Sequence, residues 1–188
     1  MESNKIQNLK EFNDLVLRSS VVAFMDVDND GIFYRMKGFT DLPETKEVEE
    51  YSRKYVDEKF ERTDTTGVTS SMDYTFDRYK DNPVHDRMKE VHNKELLASE
   101  ATNDIVVVDF SAPAGEGKFE AIKRKYSIVP DSAGDGTDAY QFSGSLKATG
   151  QAVFGYAQMA EGDSDWLAVK FTEGTNEEED EPDSGLGA

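Results

Sequence analysis

The sequence predicts a mainly β domain with one main α-helix, and three stretches carry that reading. From Val68 to Phe76, apolar or small residues hold the even positions and polar ones the odd. A period of two is what a half-buried strand imposes, because successive side chains leave on opposite faces. Tyr140 to Thr149 alternates most cleanly, with Tyr140, Phe142, Gly144, Leu146 and Ala148 on one side and Gln141, Ser143, Ser145, Lys147 and Thr149 on the other. Asn82-Pro83 opens the clearest helix: Asn82 supplies the cap and Pro83 sits at the first helical position, where an N–H would go unpaired anyway. Val84, Met88, Val91 and Leu96 or Leu97 then fall roughly on one face, so the helix is expected over about residues 83–98.

The 188 residues suffice for one domain with a sizeable core, and 37% hydrophobic with 11% aromatic residues is enough to fold. No cysteine is present, which excludes disulfides, thiolate metal sites and a cysteine nucleophile. The N-terminal Met-Glu-Ser-Asn-Lys lacks an apolar h-region and nowhere do 18 apolar residues run together, so a soluble chain made in a cytoplasm, with no membrane partner, is expected. The formal charge of −18 argues against nucleic-acid binding by phosphate neutralisation, which needs clustered Lys and Arg. It suits solubility, or a surface to which nucleic acid must not stick.

Taken in order, residues 6–18 place Leu9, Phe12, Leu15 and Val16 at helical spacings, a short amphipathic helix within an N-terminal arm at 1–20. Val21 to Val27 is an apolar strand, followed by Asp28-Asn29-Asp30-Gly31, residues suited to a tight hairpin turn, and a second strand from Ile32 to Phe39. The run Asp26-Val27-Asp28-Asn29-Asp30-Gly31 matches the opening half of an EF-hand loop, but the twelfth position is Lys37 where a bidentate Glu belongs, and the flanks are not helical. It reads as an acidic turn.

The insert at residues 41–66 is too long for a hairpin turn and too charged to be core, and inserts of that length are usually functional or disordered. Val48, Tyr51 and Tyr55 at i, i+3 and i+7, with Asp41 as a cap and Pro43 in the first turn, locally favour a helix over 44–60. Residues 41–50 hold five acids and one base, while 51–62 hold three acids and four bases. Unlike limbs of this kind could join a copy of the same protein head to tail, since heterologous interfaces bring unlike surfaces together. The plain alternative is a solvated flap.

Beyond the helix the pattern is β: Ile105 to Phe110, Phe119 to Val129, Tyr140 to Thr149, Ala152 to Met159 and Trp166 to Phe171, making seven or eight strands in all. His85 and His92 are seven apart, not the four of a metal-binding helical pair, and read as surface histidines. Gly115-Glu116-Gly117-Lys118 lacks the upstream Gly of a phosphate loop and has Phe119 where Ser or Thr belongs. Thr172 to Ala188 holds seven acids and no base, and 173–188 reads as a disordered acidic tail.

Several phrases together resemble the major tail tube proteins of long-tailed bacteriophages. They are Phe33-Tyr34-Arg35-Met36-Lys37-Gly38-Phe39-Thr40, Tyr51-Ser52-Arg53-Lys54-Tyr55-Val56-Asp57-Glu58, Ser70-Ser71-Met72-Asp73-Tyr74, Tyr126-Ser127-Ile128-Val129-Pro130-Asp131-Ser132 and Tyr140 through Gly150. The resemblance spans residues 20–172 and includes the order of elements. It implies a β-sandwich or split-barrel body at 21–172 with a flanking helix and a long stacking loop between early strands. It also implies hexameric rings stacked into a tube in the virion tail, assembled in the host bacterial cytoplasm. The lumen would hold the tape-measure protein and then DNA without specific binding, and initiator and terminator proteins would cap the tube. The insert then becomes an extended, hairpin-like arm rather than a helix. Its expected stacking residues are Glu44, Glu47, Glu49, Glu50, Tyr51, Arg53, Lys54, Tyr55 and Phe60.

The competing reading is a monomeric β-sandwich binding or adhesion module with the charged insert as its recognition loop. An enzyme is the weakest reading: no nucleophile–base pair, metal set or phosphate loop survives inspection, and no catalytic residue, metal or cofactor is expected.

Overall fold

A computed structural model describes residues 15–174. The expected helix at 6–18 and the acidic tail lie largely outside the described residues. Ten strands and one α-helix are present among the residues described: β1 (Val21–Asp26), β2 (Ile32–Arg35), β3 (Phe39–Asp41), β4 (Glu44–Arg53), β5 (Arg62–Asp77), α1 (Pro83–Lys94), β6 (Thr102–Pro113), β7 (Lys118–Ala133), β8 (Gln141–Ala148), β9 (Val153–Met159) and β10 (Ala168–Glu173).

The strands β7-β6-β1-β2-β10-β9 form a barrel that closes where β9 returns to β7. Strand β7 is the fork. Its first part, Lys118 to Lys123, pairs with β9, while Tyr126 to Ala133 pairs with β8. From β8 the sheet continues outward through β5 to an edge made by β3 and β4. The expected sandwich or split barrel is thus a mainly β fold in which a closed barrel and an open extension share one strand.

Two apolar clusters follow from this arrangement. The barrel interior holds Val22, Phe24, Phe33, Val106, Val108, Ala121, Ala157 and Val169. The second cluster lies where α1 covers the sheet, with Met25, Met72, Phe76, Val84, Met88, Val91, Ile105 and Leu146 among its buried members. Strand β1 contributes Val22 and Phe24 to the first and Ala23 and Met25 to the second. That double burial explains its unbroken apolar run, since a strand covered on both faces has no solvent side to alternate toward. On α1, Val84, Met88 and Val91 are fully enclosed, each contributing about 1.5–3 kcal/mol by its removal from water.

Asn82 caps α1 as its sequence indicates: its Oδ1 accepts from the amides of Val84 (3.0 Å) and His85 (3.3 Å). The helix stops at Lys94, short of the expected 98, because Glu95 takes a left-handed conformation (φ 53°). The Leu96 amide then reaches back to the Val91 carbonyl, the kind of bond that closes a helix C-terminus.

His85 is not a surface residue. It is fully buried, stacked on Phe76 at 4.4 Å between ring centroids and edge-on to Phe39 at 5.7 Å. It stands three residues before Met88 on the inward face of α1, so helical spacing alone permits its burial. Its Nδ1 accepts the Tyr79 amide at 3.0 Å, which places the proton on Nε2, and Nε2 donates to the Lys37 carbonyl at 2.8 Å. Both ring nitrogens are satisfied, as burial requires. Burial holds its pKa below the usual histidine value. His92, half-buried, sits edge-on to Phe142 at 5.4 Å.

The acidic turn after β1 uses its carboxylates on the backbone. Asp26 accepts from the amides of Asp30 (3.2 Å) and Gly31 (3.0 Å), and Asp30 accepts from Ile32 (2.9 Å). Asn29 (φ 57°) and Gly31 (φ 83°) provide the left-handed steps.

Candidate assembly surfaces

The insert is neither a helix nor a formless flap. Strands β4 and β5 form a long antiparallel hairpin whose register runs from Glu44 opposite Met72 to Arg53 opposite Arg62, with one irregularity beside Glu49 and Glu50. Ten residues of strand correspond to about 33 Å of reach. All of β4 is exposed, as is nearly all of β5 before Ser70. The ladder to β5 overrides the local helical spacing of Val48, Tyr51 and Tyr55, because every pairing partner comes from beyond the segment.

The hairpin carries more apolar surface than a solvated loop needs. Val48 and Val68, opposite one another, are 53% and 61% exposed, and Phe60 near the tip is 83% exposed. Tyr51 and Tyr55 are also exposed. The Arg53 guanidinium lies over Tyr51 at 5.3 Å, and Arg62 lies over Tyr55 at 6.0 Å and pairs with Glu58. These contacts hold the distal end together without a core.

Of the residues expected to stack, Glu47, Glu49, Tyr51 and Arg53 alternate onto one face of β4, while Glu44 and Glu50 take the other. Lys54, Tyr55 and Phe60 belong to the connection between the strands. Glu44 stands apart at the root of the hairpin, where it accepts from Ser70 Oγ at 2.8 Å and faces Lys46 at 3.8 Å.

A second surface is the face of β5, β8 and β7 opposite the α1 cluster. Ser71, Asp73, Thr75 and Asp77 of β5 stand in register with Lys147, Ser145, Ser143 and Gln141 of β8. Across β8, Lys147 and Ser145 meet Ser127 and Val129 of β7. The Ser132 and Ser143 hydroxyls are 2.8 Å apart, and Gln141 donates to Asp77 at 2.8 Å. The small polar residues alternating along β5 and β8 therefore gather into one polar wall, with Asp73 and Asp77 as acids and Lys147 as a base at one end.

The outward side of β3 and β4 has no strand partner among the described residues. On the far side of the extension, β7 beyond Ser127 has no strand partner among the described residues on the side facing β6. Sequence reading did not find this second edge, because it exists only where β6 ends before β7 does. No group of three or more His, Asp or Glu residues arranged to hold a metal ion occurs among the described residues.

No protein-family model and no curated protein matches the chain. Among solved structures, it is similar to a chain in the virion of a native gene transfer agent particle. There the TM-score is 0.53 at 10% identity, covering 73% of this chain and 97% of that one. It is also similar to a chain in the tail of an empty gene transfer agent particle refined helically with C6 symmetry. In that case the TM-score is 0.55 at 12% identity, with the same 73% and 97% coverage. At such identities the shared property is the fold. The β-rich fold expected from the resemblance to tail tube proteins is accordingly the fold this chain shares with a chain of a six-fold symmetric tail.

Proposed function

We propose that the chain is a structural subunit of a phage-type tail tube, six copies to a ring, with rings stacked through the β4–β5 hairpin. The observation that carries this reading is the hairpin itself: an ordered ladder with exposed Val48, Tyr51, Tyr55, Phe60 and Val68 and no core of its own. Exposed apolar surface of that extent marks a contact surface. Its far end, reaching about 33 Å from its root, suits contact with a neighbour in the next ring. In this reading residues 21–172 form the tube-building body, 1–20 an N-terminal arm and 173–188 an acidic tail.

Ring closure would join the β3–β4 edge of one subunit to the free side of β7 on the next. The two edges are unlike and lie on opposite sides of the extension, as a closed heterologous ring requires, and pairing them removes both. The polar wall of β5, β8 and β7 would then line the lumen. Small hydroxyl side chains with Asp73 and Asp77 offer DNA no array of cations to bind, so phosphate would slide past it. The tape-measure protein before DNA, and initiator and terminator proteins at the ends, complete the proposed set of partners, with the virion tail as the site of action and the host cytoplasm as the place of assembly. The role is structural and needs no catalytic group or cofactor.

Electron microscopy of concentrated protein tests the reading, with tubes or stacked rings expected. Replacing residues 48–68 by a two-residue Asn-Gly turn should leave a folded, soluble β domain that forms no tubes. Normal tube growth by that variant would remove the role given to the hairpin. A full-length chain that stays monomeric when supplied with a tail initiator complex would favour the binding-module reading.

A further inference from the structure

The outer face of the barrel, beside the root of the hairpin, holds a pocket of about 120 Å³. Ile105, Ile122 and Phe154 form its apolar part, and Arg124 and Lys46 bring positive charge beside Glu44. Two features mark it as uncovered among the described residues. Ile122 and Phe154 are partners in the β7–β9 register and remain 43% and 62% exposed. The Arg124 Nε is buried with no hydrogen-bond acceptor among the described residues, an expensive condition for a charged donor.

The described chain ends at this place. Glu173 is in register with Gly155, and the Gly174 amide donates to the Phe154 carbonyl at 3.2 Å. Residues 175–188 follow, with Glu177, Glu178, Glu179, Asp180, Glu181 and Asp183 and no base. Glu177 is three residues past Gly174, a span of up to about 10 Å in extended chain. Arg124 lies about 7 Å along β7 from Ile122, the partner of Phe154, and two strand spacings, about 10 Å, across from Gly174, so roughly 12 Å separate them, a distance the chain spans by Glu178. Reach and charge therefore agree.

We propose that the acidic segment Glu177–Asp183 docks onto this pocket of its own subunit, with a carboxylate pairing with the Arg124 guanidinium and lying beside the Lys46 ammonium. The segment would cover Ile122 and Phe154. Glu44 does not compete for Arg124 in this arrangement, being held by Ser70 and Lys46. The inference is independent of the tube reading.

The absence of cysteine allows one spin label to be placed at Ser184→Cys in the full chain. Amide paramagnetic broadening is then measured in isotope-labelled protein, at a concentration where sedimentation shows monomers. The expected result is at least a twofold loss of peak intensity at Lys46, Ile122, Arg124 and Phe154, with the α1 amides unaffected. The loss should vanish in 1 M salt, where the Debye length falls to about 3 Å, and in the Arg124→Gln/Lys46→Gln variant. Changing Glu177, Glu178, Glu179 and Glu181 to Gln should abolish it equally and leaves the folded body untouched. Uniform weak broadening over the surface would overturn the proposal. So would broadening that appears in a mixture of spin-labelled, isotopically silent chains with unlabelled-tail, isotope-enriched chains, because docking would then be between subunits.

Discussion

The Tyr74 phenol lies against the α-carbon of Gly144, its register partner across the β5–β8 ladder. A β-carbon built on Gly144 would stand 2.5 Å from the Tyr74 hydroxyl oxygen and 2.4 Å from the Val129 carbonyl oxygen. One neighbour is a buried ring and the other is backbone, so neither can yield cheaply. The strand that faces the α1 cluster on one side and the polar wall on the other is spaced by this contact.

Gly144→Ala should therefore destabilise the fold by about 1–3 kcal/mol, the usual cost of overpacking, seen as a lower midpoint in thermal or urea unfolding. Adding Tyr74→Phe removes the closer side-chain atom but not the Val129 carbonyl. The double variant should recover only part of the loss beyond what Tyr74→Phe costs alone. Full additivity in the double-mutant cycle would show that the two residues do not press on one another.

His85 ties the β2–β3 connection and the loop before α1 to the second cluster through its bonds to Lys37 and Tyr79. Replacing it with Leu should cost about 2–5 kcal/mol, since it leaves an amide and a carbonyl without partners.

The same residue sets a pH dependence. Burial lowers the folded pKa of His85 from 6.5, outweighing the hydrogen bond to the Lys37 carbonyl and the Asp86 charge, while Arg78 and the Tyr79 amide, which Nδ1 accepts only when unprotonated, favour the neutral ring. The unfolded chain thus binds the proton more readily. The contribution to stability is complete above about pH 6.5 and is lost as the pH falls below that value toward the folded pKa. Urea midpoints measured between pH 7.5 and 5 should fall in the parent and show a flatter slope in His85→Leu. An unchanged slope would mean that His85 does not titrate on unfolding.

The Asp163 carboxylate gathers the loop between β9 and β10. It accepts the amides of Ser164 and Leu167 at 2.8 and 2.7 Å, and those of Ala168 and Asp165 at 3.0 and 3.2 Å. These bonds, with Ala168 first, hold its pKa below the usual aspartate value. They also support Trp166 at φ 55°, an uncommon conformation for a bulky residue. Asp163→Ala should speed hydrogen exchange at Leu167 and Ala168 and alter the Trp166 fluorescence. Exchange at the parent rate would assign the turn to packing alone.

For the hairpin, Arg53→Glu with Lys54→Glu reverses charge near its distal end. If ring stacking depends on complementary limbs, tube elongation followed by light scattering should slow and lose its sensitivity to salt, while the melting temperature stays within a few degrees because surface pairs contribute little. Equal elongation rates would confine the role of the hairpin to its apolar residues.

Local pattern alone determined a good deal about this protein. The alternations of Val68 to Phe76 and Tyr140 to Thr149, the Asn82 cap and the turn at Asp26 to Gly31 depend on neighbours a few residues away, so they were readable in one dimension. The hairpin's place between two strands was legible for the same reason. Tertiary structure decided what depends on distant partners. Residues 44–53 are strand because β5 supplies their hydrogen bonds, against their own helical spacing. His85 is buried because Phe39, Phe76 and the Lys37 carbonyl arrive from other elements. The barrel closes because the first half of β7 pairs with β9, and the extension begins because its second half, on the same side, pairs with β8. A period of two announces a strand and its buried face, but it does not name the strand that will lie beside it.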